Sequence, residues 1–136
     1  MGAHLEQGAR LARMPITTVF VSIECRPHVV ESMARFYAGM LEVEPTVVNG
    51  DPEVISEHVS VQFETSPDHE PPTWPSQERG VQAHLDLYYP DEAEYRVAIE
   101  RAESLGGRRA ATQNDENWWT VFLDPAGHPL CVCRVA

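Results

Sequence analysis

Alternate positions of one short stretch, His84-Leu85-Asp86-Leu87-Tyr88, carry an imidazole, a carboxylate and a phenol. On a strand successive side chains point to opposite faces, so those three groups share one face and Leu85 and Leu87 share the other. A carboxylate beside a histidine fixes its tautomer and leaves one ring nitrogen free to take a proton as a general base. His84 and Asp86 are therefore the candidate catalytic pair, with Asp86 orienting His84. The same pattern also suits a buried histidine satisfied by backbone or by Gln82. Glu24, on an earlier strand of the same parity, is a second carboxylate able to work with Asp86. Cys131 and Cys133 share a face of the last strand; Cys-x-Cys there is more often two small packing residues than a ligand pair. Trp74, Tyr88, Trp118 and Trp119 are the aromatics able to stack on a ligand. Strand alternation predicts Trp118 and Trp119 on opposite faces, one in a cleft and one in the core.

Two similar runs of elements must hold these groups. In the first, Thr17–Cys25 alternates Val19, Val21 and Ile23 against Phe20, Ser22 and Glu24, which predicts a strand with one apolar face. Val29, Met33, Phe36, Tyr37, Met40 and Leu41 recur at helical spacing. Two β-rich runs follow, split by the turn signal Asn49-Gly50-Asp51-Pro52, and the second ends with Gln62 and Glu64 opposite Val61 and Phe63. A proline-rich connection, residues 65–79, stiffened by Pro71, Pro72 and Pro75, carries Trp74 as a plug or lid. The second run starts with a strand over 81–89. Asp91 as N-cap and Glu94 three residues later predict the start of a helix, which Gly106-Gly107 stops. Strands over 118–124 and 129–135 close the run around Asp124-Pro125-Ala126-Gly127.

The halves align with a shift of about 62–64 residues, which puts Phe20, Ser22 and Glu24 on the face that His84 and Asp86 occupy. The fold class expected is α+β, with two βαβββ modules forming one curved mixed sheet around a cleft. Module one covers about residues 17–64, the connecting loop 65–79 and module two 80–135. Residues 15–136 then make one domain, preceded by an appendage over residues 1–14.

Composition excludes several functions. With 136 residues the chain can bury a core without disulfides. A net charge of −11 argues against nucleic acid and anionic membranes and favours cationic ligands. All ten basic residues are Arg, which rules out Schiff-base lysine chemistry and a Walker-type phosphate loop. No nucleophile elbow, dinucleotide fingerprint or zinc-finger spacing is present. Three cysteines do not make a disulfide framework, and without a signal peptide or long apolar run the protein is expected in the cytoplasm.

With these residues placed, the chain resembles the glyoxalase and bleomycin-resistance group, the vicinal oxygen chelate superfamily, and most closely its glyoxalase-like domains. The likeness is carried by IECRPHVVESMARFYAGML (23–41), PPTWPSQERGVQAHLDL (71–87), AIERAESLGGRR (98–109) and VFLDPAGHPLCVC (121–133). It implies paired βαβββ modules around a cleft, a homodimer, and either no cofactor or a divalent metal. Metal-dependent members place ligands on the first and last strands of each module. That implies a metal set of His84, Cys131 and Gln62, with Glu64 as the alternative to Gln62. Phe20 or Ser22 stands where the first module would supply its ligand, and Cys131 stands where relatives carry Glu, so the set is incomplete. The departure Leu41-Glu42, where relatives have Leu-Gly, predicts a different exit from the first helix. The expected function is binding, with or without transformation, of a small organic molecule, cationic or aromatic. Glu24, Gln62, Glu64, Trp74, Tyr88, Trp118, Trp119 and Cys133 would contact it. The alternatives are a metal-dependent lyase, isomerase or dioxygenase, and bleomycin-resistance-like sequestration of a cation without catalysis.

Overall fold

The computed structural model describes residue 16 and residues 18–136; the appendage expected over residues 1–14 lies outside them. The chain runs β1 (Phe20–Cys25), a 3-10 turn (Pro27–Val29), α1 (Val30–Met40), β2 (Thr46–Val48), β3 (Asp51–Val54) and β4 (Ser60–Thr65). After the proline-rich loop come β5 (Leu85–Tyr89), α2 (Glu92–Ser104), β6 (Arg108–Arg109), β7 (Trp119–Leu123) and β8 (Pro129–Arg134). The fold is α+β, and the duplication is plain in the pairing. β1 lies parallel to β4 as β5 lies parallel to β8, and antiparallel strands complete each module. The strands hydrogen-bond as two four-stranded mixed sheets, in the orders β1-β4-β3-β2 and β5-β8-β7-β6, rather than as one continuous ladder. β5 is shorter than the run over 81–89 suggests. Its partner β8 begins at Pro129, which has no N–H to extend the ladder past the Leu85–Leu130 pair.

Each sheet buries one face under its helix. Met33, Phe36, Tyr37 and Met40 of α1 lie over β3 and β4, Tyr95, Ala98, Ile99 and Ala102 of α2 lie over β5 and β8, and all join one continuous core with Cys25, Val54, Val61, Phe122, Leu130 and Val132. Asp91 caps α2 by accepting the Glu94 N–H at 2.9 Å, as its spacing predicts. Side-chain bonds and close packing join the modules. Gly39 of α1 faces the Leu105 side chain, and Gly107 faces the Phe36 ring, each too close for a Cβ to fit without a shift. The Tyr37 hydroxyl donates to Asp124 Oδ2 at 2.6 Å, linking α1 to the turn before β8. His128 Nε2 lies 2.6 Å from the Glu24 carbonyl oxygen, and its ring stacks on His69 at 5.1 Å. His128, in the turn before β8, thus bridges the modules.

The exit from α1 overturns an expectation. Glu42 takes φ +57°, the left-handed conformation that a glycine there would adopt. Val43 N–H returns to the Ala38 carbonyl at 2.9 Å and Glu42 N–H to Gly39 at 3.2 Å, the bonding of a Schellman turn. The usual turn is therefore made without its usual residue, and the cost of the left-handed backbone stays in the fold. Glu42→Gly should raise unfolding stability by about 0.5–1 kcal/mol, because relief of roughly 1–2 kcal/mol outweighs an exposed ion pair with Arg101 at 3.2 Å and the added chain entropy. Glu42→Ala loses the pair and keeps the strain, so urea midpoints should rank Gly above wild type and Ala below it.

Candidate functional site

Parallel register sets Asp86 beside Cys131 and Tyr88 beside Cys133, while β7 places Val121 and Trp119 across from the two cysteines. One face of three neighbouring strands thus carries an acid, a phenol, two thiols and an indole. His84 directly precedes β5 and falls on the same face, its Nε2 3.1 Å from Asp86 Oδ1. Both side chains of this pair are about two-fifths exposed, at 42% and 41%, so the pair is accessible to a ligand. These groups floor a cavity of about 450 Å³, within the range that holds a small organic molecule. Burial pushes the Cys131 thiol up to about 12, aided by the Asp86 charge, and burial and Asp86 together push Cys133 up to about 11. Both thiols are therefore protonated at neutral pH, and neither serves as an unassisted nucleophile.

Trp74, Trp118 and Trp119 wall this cavity. The expected split of Trp118 and Trp119 between cleft and core does not occur. Both N–H groups bond to the Asp115 carbonyl in a turn, and strand alternation starts only at Trp119. Trp118 is free of the pleat and turns to the cavity, where the Arg134 guanidinium sits 4.5 Å from its ring centroid. Arg134 also donates to the carbonyls of Ala136 and Asn117 at 2.9 and 3.2 Å, so its charge is held at the wall. Trp74 comes from the loop after β4. Thr73 and Gly80 pair across that loop, and Arg79 donates to the Pro71 carbonyl at 3.0 Å, which pins the loop beneath its tryptophan.

The residues expected from the first module do not join this cavity. Gln62 donates to Ser22 Oγ at 2.6 Å within the first sheet, and Glu64 pairs in register with Glu24. Glu24 instead lines a second, more polar cavity of about 660 Å³ with His69 and His128. The divalent metal implied by the family resemblance can be tested against the donors present. His84, Asp86 and Cys131 offer one nitrogen, one oxygen and one sulfur, all within 4.8 Å of one another. Three such ligands fit a zinc-type ion with a further position for water or substrate. Asp86 thus stands where Gln62 was expected. The parity shared with His84 was legible; the β5–β8 register that brings Cys131 alongside was not. Val121 and Arg134, also in the lining, carry no chemical signal in the sequence.

A family model described as the glyoxalase-like domain matches residues 21–133. Among solved structures the chain is similar to a glyoxalase/bleomycin resistance protein from Albidiferax ferrireducens, at 11% identity and a TM-score of 0.63, covering 89% of this chain and 100% of that one. It is similar to the fosfomycin resistance protein FosX from Mesorhizobium loti at 14% identity and a TM-score of 0.59, covering 90% and 94%. It is also similar to TnmS3, an antibiotic binding protein from a Streptomyces species, at 17% identity and a TM-score of 0.54, covering 90% and 99%. A search of curated proteins finds no match. At these identities the structural likeness is one of fold.

Proposed function

Because this chain belongs to the glyoxalase-like domain family, we propose that its second-module cavity binds a small, flat organic molecule with a cationic or hydrogen-bond-donating end. One observation carries the reading: three tryptophans wall a cavity of about 450 Å³ whose floor presents Asp86. Indole faces stack on aromatic rings and attract cations, each contact contributing about 0.5–2 kcal/mol. Arg134, the basic residue in the lining, is already engaged, and the net charge of −11 favours an incoming cation. TnmS3 and FosX, antibiotic-binding and fosfomycin-resistance proteins of the same fold, lend support to a sequestering or detoxifying role.

A second reading, transformation of that ligand, is favoured by the His84–Asp86 contact at 3.1 Å. With Asp86 accepting from Nε2–H, the His84 Nδ1 lone pair is free to accept a proton from a bound ligand. Metal-dependent lyase, isomerase or dioxygenase chemistry would use His84, Asp86 and Cys131 as ligands, and a divalent ion there would supply a Lewis acid for a ligand oxygen. Homodimer formation is supported by the outer positions of β1 and β5, whose outer edges pair with no other strand among the described residues and which a second copy would cover. Among the described residues no helix is long and apolar enough to cross a membrane. The three free cysteines support a reducing, cytoplasmic setting.

Thermal shift with matched panels tests the reading. Planar aromatic cations at about 100 times their Kd should stabilise the protein by roughly 2.7 kcal/mol, a rise of several degrees. Neutral isosteres should give less and anionic analogues nothing. Equal shifts for cation and neutral isostere would remove Asp86 from recognition.

A further inference from the structure

The loop between the modules is held to the body near its start. The Ser66 N–H donates to the Cys25 carbonyl at 2.9 Å, and the Arg26 Nε–H to the His69 carbonyl at 2.8 Å. The His69 ring stacks on His128 at 5.1 Å with a 32° tilt. Pro71 sits against Gly127, where an added Cβ would lie 2.7 Å from the proline Cβ. Beyond these contacts the loop is braced on itself. The Thr73 N–H donates to the Arg79 carbonyl at 2.8 Å, and Arg79 reaches back to the Pro71 carbonyl at 3.0 Å and the Glu70 carboxylate at 3.7 Å. Residues 70–80 are therefore a braced unit that carries Trp74. Of the contacts that hold this unit down, the ring pair is the one whose charge changes between about pH 5 and 8.

We infer that His69 and His128 form an acid-sensitive latch: with at least one ring neutral the loop is docked and Trp74 walls the cavity, and with both protonated the loop lifts and the wall opens. The latch stands on the contacts above; its effect on a bound ligand rests on the binding reading already given. His128 keeps its place in either state of charge, because its Nε2 lies 2.6 Å from the Glu24 carbonyl oxygen and donates to it whether or not Nδ1 is protonated. His69 meets it ring to ring, so a second proton sets two imidazoliums 5.1 Å apart beside the Arg26 guanidinium. Burial, His128 and Arg26 together lower the His69 titration from the ordinary 6.5, against the opposing Glu24 and Asp124 charges. His28 on the 3-10 turn and Glu70, Glu78 and Arg79 on the loop complete the charged surroundings, Glu70 being paired with Arg79. The docked loop thus binds fewer protons than the released one between the lowered value and 6.5. Docking is fully present above that interval and is lost as pH falls through the lowered value.

The test is fluorine NMR of protein labelled with fluorotryptophan and free of ligand, the Trp74 resonance being identified by its loss in Trp74→Phe. From about pH 8 to about pH 5 that resonance should move toward the position of solvent-exposed fluorotryptophan, with its midpoint below 6.5. His69→Phe keeps a ring for the stack and removes the proton, so its Trp74 resonance should hold the neutral-pH position throughout. His128→Gln keeps a donor for the Glu24 carbonyl and should move the midpoint to lower pH, with thermal melts confirming that both variants are folded. A wild-type resonance that stays still, or one that moves alike in His69→Phe, would overturn the latch. An unmoved midpoint in His128→Gln overturns the pairing of the two rings. Between the same pH limits, dissociation of a planar aromatic cation, followed by stopped flow, should quicken about 10-fold more in wild type than in His69→Phe. That ratio cancels any direct titration of His84 at the cavity floor. Equal acceleration in the two proteins overturns the coupling to the ligand. A cation that fails to bind at pH 8 sinks the earlier reading and the coupling together, while the latch is decided by the fluorine spectrum alone.

Discussion

Replacing Asp124 with alanine should cost on the order of 3–5 kcal/mol of unfolding stability, a large part of what a domain of this size holds. The carboxylate is fully buried. Its Oδ2 accepts from the Tyr37 hydroxyl at 2.6 Å, and its Oδ1 from the N–H groups of Ala126 and His128 at 2.9 and 3.0 Å. Alanine leaves three donors without an acceptor, each worth about 1–3 kcal/mol when stranded away from water. It also opens the contact between α1 and the turn before β8. Asp124→Asn keeps an oxygen for the turn and offers Tyr37 a donor, so it should cost only about 1 kcal/mol. Tyr37→Phe strands a single acceptor and should fall between the two. Urea denaturation monitored by circular dichroism ranks the series; an alanine variant within 1 kcal/mol of wild type would mean that this network contributes little.

The same carboxyl predicts a pH dependence of definite sign. Burial raises its folded titration above the ordinary Asp value, against the opposing effects of Tyr37 and His128. The native state therefore binds more protons than the unfolded chain over the interval between the two values. Its contribution to stability is fully present below the unfolded pKa of about 3.9 and is lost as pH rises through the raised folded value. Asp124→Asn should flatten that part of the stability profile.

Removing both adjacent indoles, Trp118→Ala with Trp119→Ala, should weaken binding of the best planar cation on the order of 100-fold, about 2.7 kcal/mol. Each ring supplies a stacking face to the cavity, and loss of Trp118 also uncovers Arg134, which sits 4.5 Å from its centroid. The guanidinium, uncovered but still held at the wall by the Ala136 and Asn117 carbonyls, repels the same cation, so the pair should lose more than two independent stacks. Trp74→Ala acts through a loop instead, and about 10-fold is expected, mostly in the dissociation rate. Titration calorimetry measures the affinity of both variants against wild type. A double variant within threefold of wild type would put the ligand elsewhere, with the polar cavity near Glu24, His69 and His128 the next place to look.

The periodicity of 84–88 gave the face, and the face is what the fold uses. His84, Asp86 and Tyr88 point together because parity is a local property of extended backbone. The helix start at Asp91 was legible for the same reason: a cap and its partner lie three residues apart. What could not be read depends on chain segments meeting at a distance. Cys131 reaches Asp86 through a parallel register that no local pattern specifies. Gln62 sits on the face expected of it, yet in the first sheet, since the strands bond as two sheets whose relative placement is set by side chains such as Tyr37 and His128. Trp118 misled because alternation was extended one residue into a turn. Glu42 misled in the opposite sense: residue type argued against a left-handed turn, and the surrounding fold imposed it.

The bond between Tyr37 and Asp124 spans 87 positions of chain. At about 5–20 residues per second, synthesis of that interval takes on the order of 4–17 s. Through all of it the first helix exists without the carboxylate that its phenol needs. The first module is thus half of a contract signed only when the second arrives. A nascent chain stalled between the two should present α1 to chaperones and proteases as an unfinished surface, however well its own sheet has formed.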